Sequence, residues 1–187
     1  AKKGVDREDY LELPHKNIDT GMGLERMASI LQGVPTNFET DRFMPIIDKV
    51  VAASKIPYTG QMAYKVIADH VRSVVFALAD GAQLSNEGRG YVLRRLVRRA
   101  VKHGKTLGFE APFLHTLVET VVAIMEPSYP YLKDQQARIE HIIKSEEIKF
   151  LETLNAGEKR LKEMLQTTDD VLSGEAAFKL YDTYGFP

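Results

Sequence analysis

Ser85–Lys105 reads SNEGRGYVLRRLVRRAVKHGK, a polar turn with two glycines running into a strongly basic segment. At about 100° per residue, a helix over Tyr91–Lys102 stacks Arg94, Arg98 and Lys102 at i, i+4 and i+8, with Arg95 and Arg99 beside them. Val92, Leu93, Leu96, Val97, Ala100 and Val101 take the opposite side, and no acidic residue occurs from Gly88 to Phe109. Most charged helix faces are simply solvated, but those usually interleave signs so that i, i+4 pairs form. This one does not. Arginine also outnumbers lysine, and its planar fork matches phosphate oxygens and base edges. The pattern predicts a helix with its apolar face on a core and its cationic face toward a polyanion.

Around this stretch the chain is ordinary in composition. It has 187 residues, enough for one or two domains and a real core, and a net charge of −1, so its basicity is local. It has no cysteine, which excludes a disulfide framework or a cysteine-ligated zinc site within it and is compatible with the cytosol. No apolar run approaches the roughly 20 residues that span a membrane. Neither a signal peptide nor a trusted metal-ligand spacing is evident, and the five histidines read as surface or capping residues. The sequence reads as a piece of something longer.

Upstream, a short strand is expected around Lys16–Thr20, followed by a Gly21-Met-Gly23 turn and a helix carrying Leu24, Met27, Ala28 and Leu31. This Gly-x-Gly lacks the third glycine of the dinucleotide fingerprint, since Arg26 stands there. It is either a plain capped turn or a phosphate site with an arginine on the first helical turns. Further helices are predicted over Asn37–Ser54, with Pro45 tolerable only near a start or kink, and over Gln61–Ala79. Asp69, His70 and Arg72 on the latter form a site or, as more such groups do, brace a neighbour. Downstream come helices over Pro112–Met125, Leu132–Leu165, with a possible interruption at Gly157, and Gly174–Tyr181, capped by Ser173. Turns are expected at Thr167–Asp170 and at Gly185 and Pro187.

Three separated stretches share one resemblance. Asn17-Ile-Asp-Thr-Gly-Met-Gly-Leu-Glu-Arg26 resembles motif 3 of class II aminoacyl-tRNA synthetases in their alanyl form. Ala68-Asp-His-Val-Arg72 with Asp80-Gly81 and Ser85–Arg95, and then Leu180-Tyr-Asp-Thr-Tyr-Gly-Phe-Pro187, resemble the helical tRNA-recognition region of the alanyl-tRNA synthetase family. The resemblance runs through the whole chain in order.

It implies a mainly α fold, an irregular bundle of about seven helices with a short N-terminal strand remnant of the class II catalytic sheet. Residues 1–35 would be the edge of the catalytic domain and residues 36–187 the helical recognition domain. Arg26 would contact ATP phosphate, Asp19 the amino group of alanine, and Gly21 and Gly23 would line the small-substrate pocket. Asn86 and Asp182 would read a G·U pair in the acceptor stem of tRNA-Ala, and must then meet on one surface. Arg89, Arg94, Arg95, Arg98, Arg99 and Lys102 would supply phosphate contacts or brace the scaffold. The parent enzyme would use ATP and Mg2+ in the cytoplasm. Because motifs 1 and 2 are absent, this piece is expected to be inactive alone and to bind no cofactor, with its N-terminal segment partly disordered, mispaired or repacked against a neighbouring copy. A free-standing RNA-binding or adaptor module and a purely structural bundle are the other readings.

Overall fold

Proline, glycine and one buried carboxylate set where the helices begin and end. A computed structural model describes residue 6, residues 11–166 and residues 172–182, the last by its backbone alone. The turns expected at Thr167–Asp170 and at Gly185 and Pro187 lie outside the described residues, as does most of the N-terminal loop. The chain divides into two compact units, Ala1–Thr40 and Asp41–Pro187.

In the first unit, α1 (Leu24–Leu31) starts after Gly23, whose φ of 89° is one that glycine adopts without strain. A 3₁₀ turn at Asn37–Glu39 packs against α1. Its start is capped by Thr36, whose hydroxyl accepts from the Phe38 amide at 3.3 Å. No residue of α1 is buried, and Leu24, Ile30 and Leu31 are exposed. The expected strand at Lys16–Thr20 does not form. No strand occurs among the described residues, so this segment has no partner to close a ladder of backbone hydrogen bonds.

In the second unit, the helix expected over Asn37–Ser54 begins only at Met44, as α2 (Met44–Ser54). Pro45 stands in its first turn. Further inside a helix its ring would clash with the carbonyl four residues back, so the helix can only start beside it. Next comes α3 (Met62–Ala79), buried on nearly every side: Tyr64, Ile67, Ala68, Val71, Val74, Val75 and Leu78 are sealed from solvent. Gly81, at φ 93°, closes it, with its amide on the Leu78 carbonyl and the Ala82 amide on the Ala77 carbonyl.

The basic helix α4 (Gly88–Thr106) lies along α3 through Val97, Ala100, Val101 and Gly104. A Cβ on Gly104 would strike the Phe113 ring, so glycine there lets that ring seat on the helix. A 3₁₀ turn (Leu114–Leu117) then leads into α5 (Val118–Met125), where one helix from Pro112 was expected. The 36-residue α6 (Tyr131–Gln166), about 54 Å long, runs unbroken through a buried Gly157 and packs on α3, α4 and α5. Arg138 of α6 donates to the Leu78 carbonyl at 2.6 Å, and the Tyr131 hydroxyl donates to Asp80 at 3.0 Å. Ser173 caps α7 (Gly174–Asp182) by accepting from the Ala176 amide at 3.2 Å.

The 3₁₀ turn is held by Glu147 of α6, which is fully buried. Its Oε1 accepts from the Phe113 and Leu114 amides at 2.9 and 2.7 Å, and its Oε2 from the His115 amide at 3.0 Å. His115 Nδ1 lies 3.0 Å from Oε2. One carboxylate thus satisfies three otherwise orphaned donors at a helical start. Glu147→Ala is expected to lower unfolding free energy by roughly 2–4 kcal/mol, because buried amides lose their acceptor. Glu152→Ala, at an exposed position on the same helix, should stay within about 0.5 kcal/mol. Urea titrations of both variants check this.

Candidate nucleic-acid interface

The turn before α4 is folded tightly onto the helix. A Cβ on Gly90 would meet the Gln83 carbonyl, the Ser85 amide and the Ser85 hydroxyl, all inside 3.0 Å. Ser85 Oγ donates to the Glu87 carbonyl at 2.6 Å. This close return sets Asn86 beside Arg94, whose Nη1 donates to the Asn86 side-chain oxygen.

The cations of α4 fall into two sets, not the single face expected from the helical wheel. Arg94 and Arg98 turn toward α6, where their Nε atoms donate to one oxygen of Glu146 at 2.8 and 2.7 Å. The Glu146 side chain is only 8% exposed, and those of Arg94 and Arg98 are 23% and 26% exposed. The Arg98 guanidinium also lies 5.0 Å above the Phe150 ring. Lys105 continues this stripe, pairing with Glu158 at 2.7 Å and donating to Asn155 at 3.1 Å.

Arg95, Arg99 and Lys102 form the second set. All three are exposed, and among the described residues none joins an ion pair. Arg95 leans over the Tyr91 ring at 6.0 Å. The apolar side is divided as well: Val92 is exposed although it was expected to face the core. The wheel assumed one packing partner, whereas α4 packs against both α3 and α6.

An open groove of about 1030 Å³ follows the second set. Asn86 and five cations line it, the paired Arg94 and Arg98 as well as Arg95, Arg99 and Lys102, with Phe150 of α6 and Tyr181 of α7. The Asn86 turn and the end of α7 therefore border one surface. Asp182 closes α7, but its side chain lies outside the described residues. Arg89 is exposed on the first turn of α4 and does not line the groove. In the other unit, Asp19, Gly21, Gly23 and Arg26 are all exposed, and the Arg26 side chain folds back over Gly23.

Beneath the groove, α3 and α4 bring together a second polar cluster. His70, expected at the surface, is buried, with Nδ1 2.9 Å from Asp69 and Nε2 without a hydrogen-bond partner. Arg72 sits 4.0 Å above the Phe43 ring. Asp69 is held below the usual carboxylate range by the His70 hydrogen bond, against an opposing contribution from burial, and further by the charges of His70, Arg72 and Arg99. His103 lines the groove and is pushed below the usual histidine range by burial first, then by Arg99, His70 and Lys102.

Three features escaped the sequence: Phe150 and His103, which line the groove, and Glu146, which holds two of its arginines. For Glu146 and Phe150 a signal existed. Ile139, Ile143, Phe150 and Leu154 form the core stripe of α6, and Glu146 falls within it at helical spacing. A carboxylate in such a stripe implies a buried cationic partner.

Fold and groove together define a helical bundle with arginines and a carboxamide along one open surface. The family model for class II tRNA synthetases (A) matches residues 2–187, and the chain belongs to that family. It is similar to an alanine–tRNA ligase of Acholeplasma laidlawii (strain PG-8A), at 59% identity over 100% of this chain and 22% of the relative. An alanine–tRNA ligase of Streptococcus sanguinis (strain SK36) is 55% identical over 100% of this chain and 22% of the relative. One of Staphylococcus epidermidis (strain ATCC 35984) is 56% identical over 95% and 21%. The chain thus spans about a fifth of the length of the curated relatives it matches. Among the described residues no helix is long and apolar enough to cross a membrane.

The direction of the His103 shift fixes a pH dependence. A folded-state pKa below the unfolded value means the unfolded chain takes up the proton first, so stability falls as pH drops through the histidine range. His103→Gln should flatten the decline in melting temperature between about pH 7 and about pH 5. Thermal melts across that range check it.

Proposed function

We propose that this chain is the acceptor-stem recognition region of an ATP-dependent alanine–tRNA ligase and that its groove holds the stem of tRNA-Ala. The observation that carries this is the lining of one groove by the Asn86 carboxamide, by five cations of which three join no ion pair among the described residues, and by the end of α7. Arg95, Arg99 and Lys102 recur at i, i+4 and i+7, so they form a stripe suited to successive phosphates along a backbone. A-form RNA hides its major groove, so base edges are most accessible from the wide minor groove or near the helix end. An amide and a carboxylate meeting there have the chemistry to separate a G·U pair from G·C, and Asn86 and Asp182 are assigned that role.

In this assignment residues 1–35 are the edge of the catalytic domain and residues 36–187 the recognition domain. Arg26 would offset charge on ATP as the alanine carboxylate attacks, and Asp19 would hold the alanine ammonium group. The Gly21–Gly23 turn leaves room for a small side chain. Magnesium would serve the nucleotide in the whole enzyme, which would act in the cytoplasm. The 187-residue chain by itself is expected to support no alanine-dependent ATP–pyrophosphate exchange.

Fluorescence anisotropy with an alanine-tRNA acceptor hairpin tests the proposal against a control whose G·U pair is changed to G·C. The expected result is a preference of about tenfold for G·U, the size of one good base-edge contact. Asn86→Ala or Asp182→Ala should remove it, and affinity for both hairpins should fall steeply with salt. Binding that ignores salt, or no binding, would reduce the chain to a structural bundle.

A further inference from the structure

Glu146 has no place in the function proposed above, yet it touches two of the arginines that line the groove. Its Oε1 accepts from Arg94 Nε at 2.8 Å and from Arg98 Nε at 2.7 Å. Glu146 engages Arg94 through Nε, and Nη1 reaches across the turn to donate to the side-chain oxygen of Asn86. A guanidinium is planar and rigid, so fixing Nε fixes the direction of Nη1. The three residues form a relay from the α6 core to the edge of the groove.

Asn86 is itself exposed and sits on a turn. A free carboxamide there would flip between two orientations and offer oxygen or amide hydrogens alike. The relay removes that freedom. Arg94 fixes which end is the oxygen by occupying one of its lone pairs, and the Nδ2 hydrogens are left for a ligand.

We infer that Glu146 is the positioning residue for base-edge discrimination, acting through Arg94 to hold Asn86 as a hydrogen-bond donor toward an acceptor on the RNA. This rests on the reading of Asn86 proposed above. Packing alone does not call for a carboxylate at position 146. Buried ion clusters add little net stability compared with apolar side chains of the same volume, and Lys105–Glu158 already ties α4 to α6. Glu146 also occupies the Nε donors of two guanidinium groups that line the groove, which leaves them fewer donors for phosphate than Arg95 and Arg99 have.

The test measures binding of the 187-residue chain to the G·U and G·C hairpins. Glu146→Ala should lower the G·U preference by about tenfold, the effect of one ordered hydrogen bond. Affinity for the G·C hairpin should hold or rise, with a steeper salt slope, because two arginines are released to bind phosphate. Glu146→Gln keeps an acceptor oxygen for both Nε atoms and should retain the preference within about twofold. Arg94→Lys, which leaves the carboxylate in place but cannot hold Glu146 and Asn86 in one plane, should lose the preference like Glu146→Ala.

A merely structural Glu146 would weaken binding to both hairpins in parallel, and that result overturns the inference. So does a preference that survives Glu146→Ala but not Asn86→Ala. Should Glu146→Ala fail to fold by circular dichroism, Arg94→Lys decides: preference lost supports the relay, preference kept overturns it. No preference in the unaltered chain, or one that persists in Asn86→Ala, overturns the base-edge reading of Asn86 and the relay with it.

Discussion

Two neighbouring carboxylates on α6, Glu146 and Glu147, must both find partners away from water, and the bundle is arranged so that they do. Burying a charge without a partner costs several kcal/mol, so each dictates what lies next to it. Glu147 draws three consecutive amides onto one side of α6 and thereby begins the turn into α5. Glu146 draws two arginines of α4 onto the other. Because the two residues are adjacent in a helix, the directions they impose on α4 and on the turn are linked. The Phe113 ring, seated on Gly104, closes the same triangle from the far side.

This linkage turns a run of like charges into two kinds of cation. Arginines that share a buried carboxylate are held in place and partly neutralised. Arg95, Arg99 and Lys102 join no ion pair among the described residues, and they line the groove beside the paired two. A chain with a net charge of −1 can then carry a strongly positive strip without gathering anions everywhere. Asp69 on α3 and His103 on α4 both lie within electrostatic reach of Arg99, which helps to hold each below its usual range.

Helix existence was legible because apolar spacing alone locates α3, α4 and α6, and Gly81 and Ser173 act through local geometry. Boundaries were less so where a 3₁₀ turn is held from a distance: nothing near Leu114 announces that Glu147, 33 residues on, supplies its acceptor. The candidate groove was legible as a cationic helix and a polar turn. The division of its arginines was not, since a wheel shows one helix and the division depends on the register of α6 against α4. The strand expected at Lys16–Thr20 shows the converse limit. Its pattern is local, but a strand exists only with a neighbour.

Glu146 divides the arginines of α4 into two sets before any ligand arrives. The most direct measurement is hydrogen exchange of arginine Nε–H groups by NMR in the ligand-free chain. The Nε–H groups of Arg94 and Arg98 should exchange distinctly more slowly than those of Arg95 and Arg99, because only the first two are hydrogen-bonded to a buried oxygen. Four Nε–H groups exchanging at one common rate would contradict it, and would return α4 to a single undifferentiated cationic face.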